Sequence, residues 1–255
     1  MLTKQRYDLI LKLLEEQKSV TLTELKELLH TSESTVRRDI VALDKAGKLM
    51  KVFGGAVVLE QPVITYEPTV EQKRDVKVVE KRRIAAYAAS LVGQEEFIYL
   101  DAGTTTGCLI AHLEGGGVSV VTNAVAHARQ LAALGVRVYL VGGELKGTTE
   151  AVIGSQAVEM LQNYHFTKGF FGTNGITQKT GFTTPDANEA QVKKAAMRQC
   201  RECFVLADAS KFDRVSSVTF AGFGTAKIIT EELRDGYQEC ENILCVSDDA
   251  MSAEQ

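Results

Sequence analysis

The sequence predicts an α/β protein in two parts, a small winged helix-turn-helix domain followed by a larger domain built on a mainly parallel sheet. Three observations carry this. Residues 1–58 hold three amphipathic helical segments and a short glycine-turned hairpin. From Phe97 onward, apolar strand-like runs alternate with helical periodicity, the pattern of a parallel sheet covered by helices on both faces. Between them, residues 59–77 contain Pro62, Pro68 and the polar run Glu71-Gln72-Lys73-Arg74-Asp75, which marks a connection. The expected organisation is a domain over 1–58, a linker over 59–77 and a second domain over 78–255.

In the front domain, Tyr7, Ile10, Leu11 and Leu14 recur at helical spacing and predict a first helix over 4–17. Thr21 and Glu24 form a capping box ahead of Leu25, Leu28 and Leu29, the start of a second. A third follows Ser32, buries Val36, Ile40 and Leu43 and stops at Gly47; an apolar hairpin then turns on Gly54-Gly55. With Val36 and Ile40 facing inward, Ser34, Arg37, Arg38 and Val41 project outward from the first turns. Recognition helices read base edges from that end, and Arg is the side chain best matched to guanine or a phosphate. The expected DNA contacts are Ser32, Ser34, Thr35, Arg37, Arg38, Lys51, Gly54 and Gly55. A solvated helix face, with the arginines paired to Glu33 and Asp39, is the plainer alternative; three helices and a wing pointing the same way outweigh it.

Composition agrees. A chain of 255 residues with 45% apolar content can bury a sizeable core, and its net charge is −4. Residues 1–58 carry +2 and the remainder −6, with Arg37, Arg38, Lys45, Lys48 and Lys51 forming a local basic patch. No run approaches the ~18 apolar residues that cross a bilayer, and the chain opens into a charged amphipathic segment unlike a secretory signal. Five cysteines, an odd number, fit a reducing compartment, so a cytoplasmic location is expected. Cys200 and Cys203, with Cys240 and Cys245 in the tail, invite a metal reading. Cysteine entering the buried strand Cys203–Ala207 behaves as a small hydrophobe, however, and the four histidines are scattered, so neither metal nor cofactor is expected.

The back domain opens with a helix whose basic start, Lys81-Arg82-Arg83, reads as a solvated face. Strands are expected at 97–100, 118–122, 137–141, 166–172, 203–207 and 227–230, with helices at 105–113, 124–134, 154–163 and 186–201 between them. Ligands of such sheets bind beyond the strand C-termini. There the chain places Asp101-Ala102-Gly103-Thr104-Thr105-Thr106, Thr122-Asn123, Gly142-Gly143, Gly172-Thr173-Asn174 and Asp208-Ala209-Ser210-Lys211. The Gly-Thr-Thr-Thr run entering a helix offers N–H groups and hydroxyls to a phosphate, and Lys211 the compensating charge. Asp101, Asn123, Asn174 and Glu189 are candidates for sugar hydroxyls. Taken singly, each is also an ordinary turn or cap residue. Neither a dinucleotide fingerprint nor a Walker loop is present.

These residues resemble one family over nearly the whole chain, the DeoR-type bacterial transcription repressors. The front signature is Ser-Glu-Ser-Thr-Val-Arg-Arg-Asp-Ile-x-x-Leu-x-x-x-Gly from Ser32 with Gly54-Gly55-Ala56. The back signature is Asp-Ala-Gly-Thr-Thr-Thr at 101–106, Thr-Asn at 122–123, Gly-Gly at 142–143, Gly-Thr-Asn-Gly at 172–175 and Asp-Ala-Ser-Lys-Phe at 208–212. One departure is Phe53, where the family wing carries His. The resemblance implies a back domain similar to ribose-5-phosphate isomerase that senses a phosphorylated sugar. The motifs at 142–146, 172–176 and 183–190 look most like the fructose-operon repressors of Gram-positive bacteria, which implies fructose 1-phosphate as effector. It also implies an alternative, a sugar-phosphate isomerase with an appended DNA-binding domain. In those isomerases the base is a Glu within Arg-Glu-Lys; if Val192-Lys193-Lys194 aligns with that run the base has become Lys193, whereas a slip of one turn leaves Glu189 to serve, and Phe182-Thr183-Thr184-Pro185 replaces the Gly-rich loop. Binding without turnover is expected. The expected effector set comprises Asp101, Gly103, Thr104, Thr105, Thr106, Thr122, Asn123, Gly142, Gly143, Asn174, Glu189, Lys193, Asp208 and Lys211. Reading of paired half-sites further implies a homodimer or homotetramer on operator DNA.

Overall fold

The computed structural model describes residues 2–58, 63–115 and 117–246. The chain divides into two compact units, residues 1–62 and 63–255.

The first unit contains α1 (Thr3–Gln17), β1 (Ser19–Thr21), α2 (Leu22–Leu29), α3 (Glu33–Lys45), β2 (Met50–Val52) and β3 (Gly55–Val57). Its core is Ile10, Leu14, Leu25, Leu29, Val36, Ile40, Leu43, Leu49 and Ala56. Of the three leucines of α2 named above, Leu25 and Leu29 are buried and Leu28 is exposed. The helix ends follow from local chemistry. Glu24 N–H donates to Thr21 Oγ1 (3.2 Å) while Thr21 N–H donates to Glu24 Oε2 (2.7 Å), closing the capping box of α2. Thr35 N–H donates to the Ser32 hydroxyl to cap α3, and Gly47, at φ +65°, ends it in the left-handed conformation.

The wing differs from expectation in two ways. β1 was not anticipated; it pairs with β3 to make a three-stranded antiparallel sheet in the order β1-β3-β2. Val52 faces Gly55 across the hairpin, so the turn lies on Phe53-Gly54, with Gly54 at φ +83°, and Gly55 belongs to β3. Gly55 is required for another reason: a Cβ there would stand 2.1 Å from the Val20 carbonyl oxygen.

The second unit runs α4 (Val70–Arg74), α5 (Val78–Ser90), β4 (Phe97–Leu100), α6 (Thr104–Gly107), β5 (Ser119–Thr122), α7 (Val125–Ala133), β6 (Arg137–Leu140), β7 (Glu144–Lys146), β8 (Ala151–Ile153), α8 (Ser155–Leu161), β9 (Phe166–Gly172), β10 (Gly175–Thr177), β11 (Gly181–Thr184), α9 (Ala187–Arg198), β12 (Cys200–Leu206), β13 (Val218–Ala221), β14 (Lys227–Thr230) and β15 (Ile243–Cys245). Seven strands form one parallel sheet in the order β15-β14-β12-β9-β4-β5-β6. Alternation along each strand divides the core. Tyr99, Val121, Phe171 and Val205 pack on one face with α8 and α9, and Ile98, Leu100, Val120, Phe170 and Phe204 pack on the other with α5. The order reverses between β4 and β9, so the loops that leave these two strands part there and open a crevice.

Other expectations are corrected. The helix expected at 105–113 is the four-residue α6 followed by a 3-10 turn, Cys108–His112. β7–β8 and β10–β11–β13 are antiparallel additions built from strands of three or four residues. The linker expected over 59–77 divides: residues 59–62, including Pro62, lie outside the described residues, while 63–77 pack as part of the second unit. Ile64 N–H donates to Val215 O (2.9 Å), Val70 N–H to Thr148 O (3.2 Å), and a Thr69–Gln72 capping box starts α4.

Candidate functional site

In the first unit the exposed surface of α3 carries Ser34, Arg37 and Arg38, with Val41 half-buried. Arg37 is paired with Glu33 one turn earlier at 2.7 Å, both well exposed. Arg38 has no ion-pair partner among the described residues. Asp39, the partner considered for the arginines, turns inward and binds Arg6 of α1 through two hydrogen bonds, 2.6 and 3.0 Å. The hydroxyls of Ser34 and Thr35 each lie 2.9 Å from that of Ser32, so these three residues form the cap at the start of α3. On the wing, Lys51 N–H donates to Asp44 Oδ1 (2.9 Å), tying β2 to α3 and leaving the Lys51 side chain exposed. The result is a basic helix start and a wing with an exposed Phe53 at its tip.

In the second unit a cavity of about 440 Å³ opens at the crevice between β4 and β9. Of the expected effector residues, Gly103, Thr104, Thr105, Asn174, Glu189, Lys193, Asp208 and Lys211 line it. The others do not. Thr106 is buried and its hydroxyl donates to Asp101 O (2.7 Å) and Gly103 O (3.0 Å), closing the loop from within. Asn123 is buried too: Oδ1 accepts from Tyr99 Oη and Ala102 N–H, both at 3.0 Å, and Nδ2 donates to Val152 O. Thr122 accepts from Ala124 N–H. Asp101 sits beneath the cavity floor, ion-paired with Lys193 and accepting Gly172 N–H (2.9 Å). Its carboxyl is raised above the ordinary range by burial, against the pull of Lys193. Gly142 and Gly143 lie outside the cavity; Gly143, at φ +145°, lets the chain pass the Ile153 carbonyl, which a Cβ would meet at 2.6 Å.

The cavity also recruits residues the sequence reading missed. Lys81, expected in a solvated face, is buried; its ammonium donates to Lys73 O, and burial lowers its pKa against the pull of Asp208. Lys211 is lowered likewise by burial, with Asp208 opposing. Among the described residues, no hydrogen bond or ion pair engages the Lys211 ammonium. Glu67 accepts from Lys73 at 2.9 Å and Lys146 at 3.1 Å, and Asn174 Nδ2 lies 3.4 Å away. Burial would raise its pKa, but the two ammonium groups hold it down to about 2. Glu189 accepts from Lys146 (3.1 Å) and Thr149 (2.5 Å); burial and the nearby Glu67 raise it. Glu67 and Lys81 belong to no motif read from the sequence, and only the fold brings them to Lys211 and Glu189.

Cys200 and Cys203 donate to the Ala196 and Met197 carbonyls at the end of α9, and among the described residues no helix is long and apolar enough to cross a membrane.

A winged helix-turn-helix unit and a ligand-cavity α/β unit in one chain define a class, the ligand-responsive transcription regulator. Residues 6–62 match the DeoR-like helix-turn-helix domain and residues 76–232 the DeoR C terminal sensor domain. The chain belongs to the DeoR family of transcriptional repressors. It is 43% identical to the "Uncharacterized HTH-type transcriptional regulator FruR" of Bacillus subtilis, an alignment covering 94% of this chain and 96% of that protein. The HTH-type transcriptional regulator IolR of the same organism is 30% identical, covering 87% and 88%. The lactose phosphotransferase system repressor of Staphylococcus epidermidis is 32% identical, covering 82% and 84%. Ribose 5-phosphate isomerase A from Methanocaldococcus jannaschii overlaps 52% of this chain and 53% of its own at 18% identity and a TM-score of 0.39, a likeness too loose to bear on the chemistry.

Proposed function

We propose that the chain represses a sugar-utilisation operon, reading operator DNA as a homo-oligomer through α3 and the wing, and that a phosphorylated sugar in the second unit releases it. The observation that carries this is the composition of the cavity. Lys81 and Lys211 meet the Gly103-Thr104-Thr105 loop, while Glu67, Asn174 and Glu189 face the same space. Two ammonium groups with backbone N–H groups and hydroxyls suit a phosphate. Carboxylates and an amide suit sugar hydroxyls. Because α6 has only four residues, the loop's N–H groups and the lysines supply the attraction, with little aid from a helix dipole.

Fructose 1-phosphate is the sugar phosphate we assign. The motifs at 142–146, 172–176 and 183–190 and the 43% identity to the protein called FruR both favour it. A ligand that binds only the folded state stabilises it by about 2.7 kcal/mol at a hundredfold excess over Kd. Fructose 1-phosphate should therefore raise the melting temperature where free fructose does not. No rise with fructose 1-phosphate, or an equal rise with fructose, overturns this assignment.

A further inference from the structure

The segment expected to be a linker is instead a wall of the cavity. Ile64, Tyr66, Glu67, Pro68, Gln72 and Lys73 all line it. The segment is tied down at several points: Ile64 to Val215, Val70 to Thr148, and Glu67 to Lys146 on β7. Lys81 of α5 donates to Lys73 O, which fixes the end of α4. Only residues 59–62 separate this wall from Val58 of the wing. Within it Glu67 is the sole carboxylate that lines the cavity. Its side chain is 10% exposed. Lys73, Lys146 and Asn174 point donors at it and fix it in position, and Lys146 also bridges it to the neighbouring Glu189 carboxylate.

We propose that Glu67 is a sugar-reading residue, accepting hydroxyl hydrogen bonds from the effector, and that the connector strap 63–77 is thereby the element through which effector occupancy reaches the DNA-binding unit. The inference rests on the sugar-phosphate reading of the cavity. Its chemistry separates the two ends of the ligand. A carboxylate attracts hydroxyl donors and repels a phosphate, so Glu67 contributes to the sugar and works against the phosphate. Coupling of this kind needs differential contact in the two states. A ligand held by both the 103–105 loop and Glu67 bridges the strap to the sheet, which ligand held by phosphate contacts alone does not.

The experiment is amide hydrogen exchange and ligand binding on the full chain, with fructose 1-phosphate and inorganic phosphate as probes, on wild type and Glu67→Gln. In wild type, fructose 1-phosphate should slow exchange of peptides covering 63–77 at least fivefold, in addition to those covering 101–106. Inorganic phosphate should protect 101–106 alone. Glu67→Gln should weaken fructose 1-phosphate at least tenfold, leave inorganic phosphate binding unchanged or tighter, and abolish the protection of 63–77. A merely structural Glu67 would weaken both probes alike, and that result overturns the proposal. Wild-type protection of 101–106 by fructose 1-phosphate without any change at 63–77 also overturns it, while leaving the sugar-phosphate reading intact. Failure of wild type to bind fructose 1-phosphate at all overturns both, and the wild-type exchange pattern decides the matter even if the variant fails to fold.

Discussion

His127 on α7 places Nε2 at 3.1 Å from the carbonyl oxygen of Gly103, so a buried imidazole supports the cavity loop from behind. Gly107 makes room for it, since a Cβ there would stand 2.8 Å from that same nitrogen. Nδ1 has no hydrogen-bond partner among the described residues, and burial pushes the pKa down to about 4 despite the Gly103 carbonyl. The folded state therefore holds a neutral ring that donates to Gly103.

A pH dependence follows. The folded pKa lies below the unfolded value of 6.5, so the unfolded chain binds the extra proton as pH falls. The stability contributed is complete above pH 6.5 and is lost progressively from there down to about 4. At 1.36 kcal/mol per pKa unit, the loss is about 3 kcal/mol at most. Melting temperature measured against pH should fall across this window in wild type and more shallowly in His127→Gln. An equally steep fall in the variant assigns the acid sensitivity to other groups.

DNA reading is tested on α3. Arg38 and Arg37 should each cost at least tenfold in operator affinity when changed to Ala, in line with ~1–3 kcal/mol for an Arg–base contact. Glu33 sharpens the test. Its pair with Arg37 is exposed on both sides, so it contributes little to folding and holds Arg37 only loosely. Glu33→Ala should leave the melting temperature unchanged and leave DNA affinity equal or tighter. Gel-shift titrations at fixed salt measure all three; wild-type affinity in both arginine variants would remove α3 from the groove.

The wing glycines separate two kinds of backbone requirement. A Cβ at Gly55 would meet the Val20 carbonyl at 2.1 Å, and a backbone oxygen cannot move aside without breaking the β1–β3 pairing. Gly54 has nothing within 4 Å and only its φ of +83° to satisfy. Gly55→Ala should therefore destabilise the front unit by about 3 kcal/mol, against about 1 kcal/mol for Gly54→Ala. Thermal melts followed by circular dichroism provide the comparison, and equal losses would contradict the register described here.

Legibility in the sequence followed the range of the forces involved. The capping box at Thr21–Glu24, the Val36–Ile40–Leu43 stripe and the alternating strands are local patterns, and each stands close to where periodicity placed it. The glycine pair marked the wing but not its register, because register depends on β1, a strand of three residues with no apolar run. In the cavity, polar residues at strand ends were visible, yet their orientation was not. Asn123 and Thr106 point inward to satisfy backbone groups, whereas Lys81 reaches the cavity from a helix whose basic start resembles a solvated face. Proline and charge in 63–77 have the composition of a linker; the ion pairs of Glu67 that fix the segment are made with residues as distant as Lys146.

Lys81 provides the most direct test of the cavity's charge. It is buried, its pKa is depressed by burial, and among the described residues the only hydrogen bond of its ammonium goes to the Lys73 carbonyl. A buried ammonium without a carboxylate ion pair is costly to the fold, which fits the phosphate-binding role proposed for it. Lys81→Met keeps the length and apolar stem while removing the charge. The unliganded melting temperature should stay level or rise, the lost carbonyl contact offsetting part of the gain. The rise produced by fructose 1-phosphate should fall to that of at least a tenfold weaker ligand, as it should in Lys211→Ala. Lysine removal that lowers unliganded stability by several degrees while preserving the ligand response would make Lys81 a structural cap on α4 and leave the phosphate to Lys211 and the 103–105 loop.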